Sequence, residues 1–246
     1  MPARIVIDEV SRCLSTPRLA PYLSAAGTDP ELALALYHWN VQLAAAFQEV
    51  LAVTEIVVRN AVDAELRVWN PTRGRDYITK RAYPPEWTDL PAAPIAGVIA
   101  KPLAQARGYA KRASTGRGKD HARYRAPICH DDVLAQMSFG VWHKLLPPAD
   151  PAKAGLQLLW SNALQKAFPL APAAATAPAE VLVHDRLNRL VSLRNRVAHM
   201  ESLLDVNVPA RLSDVFSLLG YISPSTRDWC AGLNRVTEIN KARPQP

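Results

Sequence analysis

The stretch from Pro30 to Val68, PELALALYHWNVQLAAAFQEVLAVTEIVVRNAVDAELRV, decides the fold class. It holds no glycine, the next proline after Pro30 is Pro71, and alanine and leucine fill it without the strict alternation of a half-buried strand. Asp29-Pro30-Glu31 sets an N-cap acceptor, a proline at the first helical position and an acid in the first turn, a combination that starts helices. The spacing predicts one long helix over 30–68 and an all-α protein around it.

Working outward, 6–14 and 17–23 read as two short helical pieces ahead of that helix. Beyond it, prolines at 71, 84, 85, 91, 94 and 102 with Gly74 and Gly97 break regular structure, so about 70–127 reads as a loop-rich insert. Asp131-Asp132 caps a helix to about 146, Pro151 opens another to about 168, and the Ala/Pro stretch 169–178 is a linker. Helices over 179–202, 208–219 and 225–240 complete a single domain spanning 1–246.

Composition narrows the class further. A 246-residue chain that is 49% hydrophobic can bury a real core. The net charge of +7 and a pI near 9.5 favour an anionic partner, nucleic acid or a membrane surface. Eight Lys or Arg against one acid, Asp120, fall between Lys101 and Arg125, an excess that equals the charge of the whole chain. Cys13, Cys129 and Cys230 are too few and too scattered for a disulfide framework or a CxxC metal site, which suits a reducing, cytoplasmic setting. The N-terminus lacks the apolar core of a signal peptide. The most apolar run, Leu32 to Val58, is interrupted by His38, Asn40, Gln42, Gln48, Glu49 and Glu55, so a soluble protein without a membrane span is expected.

On the helix predicted over 179–202, Val183, Leu187, Leu190, Arg194 and Val197 share one face. A guanidinium in an apolar stripe needs an anionic ligand or a fixed acidic partner. Asn188, Ser192, Asn195 and His199 form a second, small polar strip that ends on the one residue type titrating near neutrality. Arg194 and His199 lie roughly 140° apart around the axis. One helix does not aim both at a single phosphate, but a two-fold-related copy could complete the cleft.

The Arg194-Asn195-Arg196-Val197-Ala198-His199 segment, with LRNRVAHME around it, resembles the R-x4-H ribonuclease motif of the abortive-infection (Abi-like) branch of the HEPN superfamily. Ser15–Leu23 (STPRLAPYL), Ala35–Asn40 (ALYHWN), Glu55–Asn60 (EIVVRN), Ser138–Trp142 (SFGVW) and the segment from Leu159-Trp160 to Phe168-Pro169 are similar to further blocks of that family, in order along nearly the whole chain. The resemblance implies a HEPN-like helical bundle that dimerises into a composite site and cuts RNA with neither metal nor cofactor. It also implies a toxin or phage-defence role, with RNA, a second copy and an antitoxin or other regulator as partners. Arg194 and His199 would be the catalytic pair and Asn195 a supporting group. Met200 departs from relatives that often carry a second histidine there, while Glu201 remains.

The chemistry is coherent in its own terms. RNA carries its own nucleophile, the 2′-OH. Cleavage needs a base of near-neutral pKa and a cation that steadies charge on the phosphoryl oxygens, and His199 and Arg194 suit those two roles. The plainer alternative is a structural arginine bridged to a core acid and a histidine hydrogen-bonded at a helix end.

Other candidates carry two readings each. Glu55, Arg59, Asn60 and Asp63 lie on the long helix, where Glu55–Arg59 and Arg59–Asp63 are either helix-surface pairs at i,i+4 spacing or support for the site, since Val58–Val62 echoes Leu193–Val197 and would bring a second arginine beside it. Lys111, Arg112, Arg117, Lys119, Arg123 and Arg125, with Tyr109, His121 and Tyr124 interleaved, either track RNA together with Arg196 or form a solvated loop. Gly116–Lys119 is not a P-loop, because Ala113 replaces a glycine and Asp120 the magnesium-binding hydroxyl, which argues against a nucleotide-dependent regulator. Cys129–Asp132 reads as a helix cap rather than a metal site. The competing function is a non-catalytic RNA-binding or protein-interaction module on the same fold.

Overall fold

A computed structural model describes residues 4–172 and 177–245. Helix α1 (Arg4–Leu14) and helix α2 (Thr16–Ala25) lead into α3 (Pro30–Trp69), the central element. Asp29 caps α3 by accepting from the Glu31 N–H at 2.9 Å. Leu43, Phe47, Val50, Thr54, Val58, Val62 and Leu66, three or four residues apart, form its buried stripe. Phe47 is wholly enclosed, and cutting it to alanine would cost about 3–5 kcal/mol. By length and hydropathy α3 could cross a bilayer, yet here one apolar face of it packs inside a helical bundle, while Val41, Ile56 and Val68 stay exposed.

The all-α expectation holds: apart from one isolated bridge, Arg75 to Ala82, no strand pairing occurs among the described residues. The loop-rich reading of 70–127 needs correction, because α4 (Ile95–Thr115) occupies its middle. Ile95, Ile99, Leu103, Ala106 and Ala110 make a buried stripe at helical spacing that outweighs the prolines. Pro102 is absorbed by a kink at Ile99, whose φ of −117° and ψ of 16° leave the helical region.

The helix expected to reach 146 is divided into α5 (His130–Leu134) and α6 (Phe139–Leu145), and the one opened by Pro151 into α7 (Ala154–Asn162) between two 3₁₀ turns. Of the linker read at 169–178, residues 173–176 lie outside the described residues. Then follow α8 (Ala179–Ala198), α9 (Val208–Ile222), α10 (Pro224–Leu233) and α11 (Val236–Lys241). Helices α8 and α9 pack against each other and along α3.

Two buried carboxylates tie these layers together. Asp63 on α3 accepts from Trp87 Nε1 at 2.7 Å and Arg67 Nε at 2.9 Å, and its Oδ1 lies 2.8 Å from His130 Nε2. His130 Nδ1 in turn meets Thr88 Oγ1 at 2.9 Å, so the insert is bolted to the central helix. Asp214 on α9 holds Arg186 and Arg189 of α8 at 2.9 and 2.7 Å, with Arg211 at 3.2 Å. All four oxygens of these two acids have a partner, the condition for keeping a charge inside a protein.

Candidate functional site

The turn that ends α8 carries the sequence motif. Helix α8 stops at Ala198, earlier than the 202 expected, and closes in a Schellman arrangement: Glu201 N–H donates to the Arg196 carbonyl at 2.9 Å and Met200 N–H to the Val197 carbonyl at 3.2 Å. The residue forced into the left-handed region is Met200, at φ 53°, where glycine is the usual occupant. His199 is the C-cap, exposed, and its ring makes no hydrogen bond among the described residues.

Distant parts of the chain hold this turn in place. Arg18 Nη1 on α2 donates to the Met200 carbonyl at 2.6 Å. Asn40, buried on α3, donates to the Glu201 carbonyl at 3.3 Å and accepts from the Leu203 N–H at 2.6 Å. Arg196 binds Asp205 and the Ser202 carbonyl across the turn. Three of the sequence blocks, STPRLAPYL, ALYHWN and the motif itself, therefore converge on one loop.

Arg194 lies one helical turn before the C-cap, on the side of α8 that faces α3. Its side chain is 35% exposed, and the nearest carboxylate is Glu55 of α3, with Nε to Oε2 at 4.0 Å. It makes no hydrogen bond among the described residues, so its fork of donors is uncommitted. Burial pushes the Glu55 carboxyl above the usual range, and the charges of Arg194 and then Arg59 only partly offset this. Arg59 thus stands beside Glu55, with Nε donating to Asn60 Oδ1 at 3.2 Å. The echo sequence of α3 does lie against α8, in the packing of those two helices.

Asn195 and Asn60 are exposed, as is Glu201. Asn188, Ser192 and Asn195 form an exposed, uncharged strip along α8 that runs toward the His199 C-cap. On α3, Ala52, Ile56, Asn60, Ala64 and Val68 are all exposed at steps of four, a second uncharged strip. The two frame the Arg194–Glu55 pair.

The basic residues divide into two sets. Arg117 and Arg123 both bind Asp132, Arg123 at 2.8 Å, and Arg123 also donates to the Pro127 carbonyl at 2.7 Å. Asp132 accepts as well from the Cys129 N–H at 2.9 Å, so these two arginines clamp the start of α5. Lys111, Arg112, Lys119 and Arg125 remain exposed. Arg112 lies over the Tyr109 ring at 4.7 Å and Arg125 over Tyr124 at 5.1 Å, leaving a basic and aromatic surface at the end of α4.

The sequence reading missed the Thr88–His130–Asp63 chain, taking His130 only as part of a cap. Its order of hydroxyl, imidazole and carboxylate imitates a nucleophilic triad. Thr88 is 2% and His130 6% exposed, and the hydroxyl, both ring nitrogens and the carboxylate are all engaged with one another, so their role is structural. No signal in the sequence joins residues 63, 88 and 130. Comparison of this chain with known protein families, with curated proteins and with solved structures finds no match in any of the three.

Proposed function

We propose that this chain is a metal-independent endoribonuclease of the HEPN type, working as a homodimer in the cytoplasm in a toxin or phage-defence role. The observation that carries the reading is Arg194: a charge set into an apolar helix face, with its nearest acid at 4.0 Å and no hydrogen bond among the described residues, one turn from an unpartnered histidine. A purely structural arginine would spend its donors on the fold, as Arg189 does on Asp214.

In the reaction, His199 takes the 2′-OH proton as the 2′ oxygen bonds to phosphorus, while Arg194 binds two phosphoryl oxygens and steadies their charge. The bond from phosphorus to the 5′ oxygen breaks, that oxygen takes up a proton, and the products are a 2′,3′-cyclic phosphate and a 5′-hydroxyl. Glu55, whose carboxyl burial pushes above the usual range, stands 4.0 Å from Arg194 and orients it without taking a hydrogen bond from it. Because Arg194 and His199 point roughly 140° apart on one helix, a single cleft draws the arginine from one protomer and the histidine from its partner. The uncharged strips on α3 and α8 suit such a self-complementary contact, since like charges would not meet across the two-fold axis.

The exposed Tyr109–Arg112 surface also supports a second reading, an RNA-binding module without chemistry. One assay separates the two. Incubation with mixed RNA in EDTA should yield fragments ending in cyclic phosphate, and His199→Ala and Arg194→Ala should each abolish them. Retention of RNA without fragmentation by the wild-type protein would favour the binding module.

A further inference from the structure

An open cleft of about 530 Å³ lies between α2 and the turn that ends α8, lined among others by Ser15, Arg18, Tyr22, Arg196, Glu201 and Ser202. That volume is ordinary for a small-molecule site. Tyr22 is the unusual member. Its side chain is fully buried, yet its hydroxyl has no hydrogen-bond partner, and Ser202 approaches it without completing one. An unsatisfied buried hydroxyl is a standing cost to the fold.

The surroundings favour an anion. Arg18 commits only Nη1, to the Met200 carbonyl, and the rest of its guanidinium has no partner among the described residues. The first turn of α2 leaves the N–H groups of Thr16 and Arg18 without acceptors, since the first backbone bond of that helix runs from Leu19 to Ser15 and the Ser15 side chain does not cap it. Burial pushes the Tyr22 phenol up, with the positive charges of Arg18 and Arg196 acting in the opposite sense, so at neutral pH it is a donor. The Glu201 carboxylate is the one acid in the lining and would repel a bare phosphate, but it can accept an N–H from a base edge.

We propose that this cleft is a subsite for one nucleotide of the RNA, with its phosphate on Arg18 and the Tyr22 hydroxyl and its base edge on Glu201. The identity of the polymer rests on the nuclease reading. Glu201 and the Met200 carbonyl belong to the turn that bears His199, so a nucleotide held here flanks the scissile bond.

The test uses the full-length protein and a labelled 2′-O-methyl oligoribonucleotide, which cannot supply the nucleophile, with binding read by fluorescence anisotropy. Tyr22→Phe should lower affinity roughly five- to tenfold while melting at or slightly above the wild-type temperature, because it removes only the unpartnered hydroxyl. Arg18→Gln should lower affinity roughly tenfold. Oligonucleotide affinity unchanged in Tyr22→Phe overturns the subsite. So does a Tyr22→Phe effect confined to inorganic phosphate or a free mononucleotide, which would mark a pocket for small anions. Failure of the wild-type protein to bind the oligonucleotide also sinks it. The nuclease reading fails separately, if His199→Ala cleaves RNA at the full rate, and that result leaves the binding data for the cleft intact.

Discussion

Two places in this molecule bring histidine, arginine and carboxylate together, and they are built in opposite ways. Around Asp63 every group is spoken for: Trp87, His130 and Arg67 lie within 2.9 Å of the carboxylate. Around Glu55 the nearest guanidinium stands at 4.0 Å, and the histidine of the same region, His199, is exposed with an unengaged ring. Burial alone would raise the Asp63 pKa, but hydrogen bonds from His130, Arg67 and Trp87 overcome it and hold the group below the usual range. The Glu55 carboxyl moves the other way, because burial outweighs two arginines kept at a distance. A closed network locks the fold, while an open one keeps its donors available for a ligand. The resemblance of Thr88–His130–Asp63 to a catalytic triad is therefore misleading, and the looser constellation is the functional candidate.

The sharpest way to break that contrast is to delete each histidine in turn. His199→Ala should lower RNA cleavage by about 10²–10⁴-fold, and its thermal melting should match the wild type, because an exposed ring without partners contributes under about 0.5 kcal/mol. His130→Ala should do the reverse. It strips a partner from a buried carboxylate and from Thr88, costing about 2–3 kcal/mol in denaturant unfolding, while any cleavage persists at temperatures where the variant is folded. A His130→Ala protein as stable as the wild type would dissolve the distinction between the two networks.

The sequence makes the local elements of this contrast readable and conceals the long-range pairings that complete them. Helix α3 announces itself through Asp29-Pro30-Glu31 and an uninterrupted apolar period, because capping and periodicity are local properties. The demand that Arg194 find an acid is equally local, since four apolar neighbours on its helix face impose it. That the acid is Glu55 follows from how α3 packs on α8, which the echo of Val58–Val62 only suggests. Asn40 shows the limit. It stands in a recognisable block, but its task is to accept from Leu203 and donate to the Glu201 carbonyl, partners more than 150 residues away. Helix α4 was hidden for a different reason: Pro102 reads as a breaker, and only the tertiary burial of Ile95, Ile99 and Leu103 shows that one kinked helix is the better solution.

The two carboxylates predict opposite responses to pH. Asp63 has a folded pKa below its unfolded value, so its contribution to stability is complete above the ordinary aspartate range and is lost as pH falls through the lowered folded value. Glu55 has a raised folded pKa, so its contribution is complete in acid and is lost as pH rises through that raised value. At neutral pH, Asp63→Asn should cost about 2–3 kcal/mol, since the new amide cannot accept from all three donors. Glu55→Gln should stay within about 0.5 kcal/mol of the wild type or stabilise it. Urea midpoints measured from pH 7 down to pH 3 would check both, and a loss of stability in Glu55→Gln as large as that in Asp63→Asn would mean that the Arg194 pair is structural after all.

The smallest effect tests whether backbone strain follows the same division. Met200 holds φ at 53° in the turn beside His199, whereas Asp63, Trp87, Thr88 and His130 all avoid the left-handed region. Its side chain is 52% exposed, so little packing is lost if it is removed. Glycine at this position relieves the clash between Cβ and the following carbonyl, a gain of about 1 kcal/mol. Part of that gain is offset because glycine also frees the unfolded chain. Met200→Gly should therefore stabilise by about 0.5 kcal/mol, equivalent to about 1–2 °C in melting temperature for a chain of this size. Cleavage should fall at the same time, because the turn that aims His199 becomes easier to distort. A gain in stability with no change in rate would show that the strain at Met200 serves only to end the helix, and that Arg18 and Asn40 position the histidine without its help.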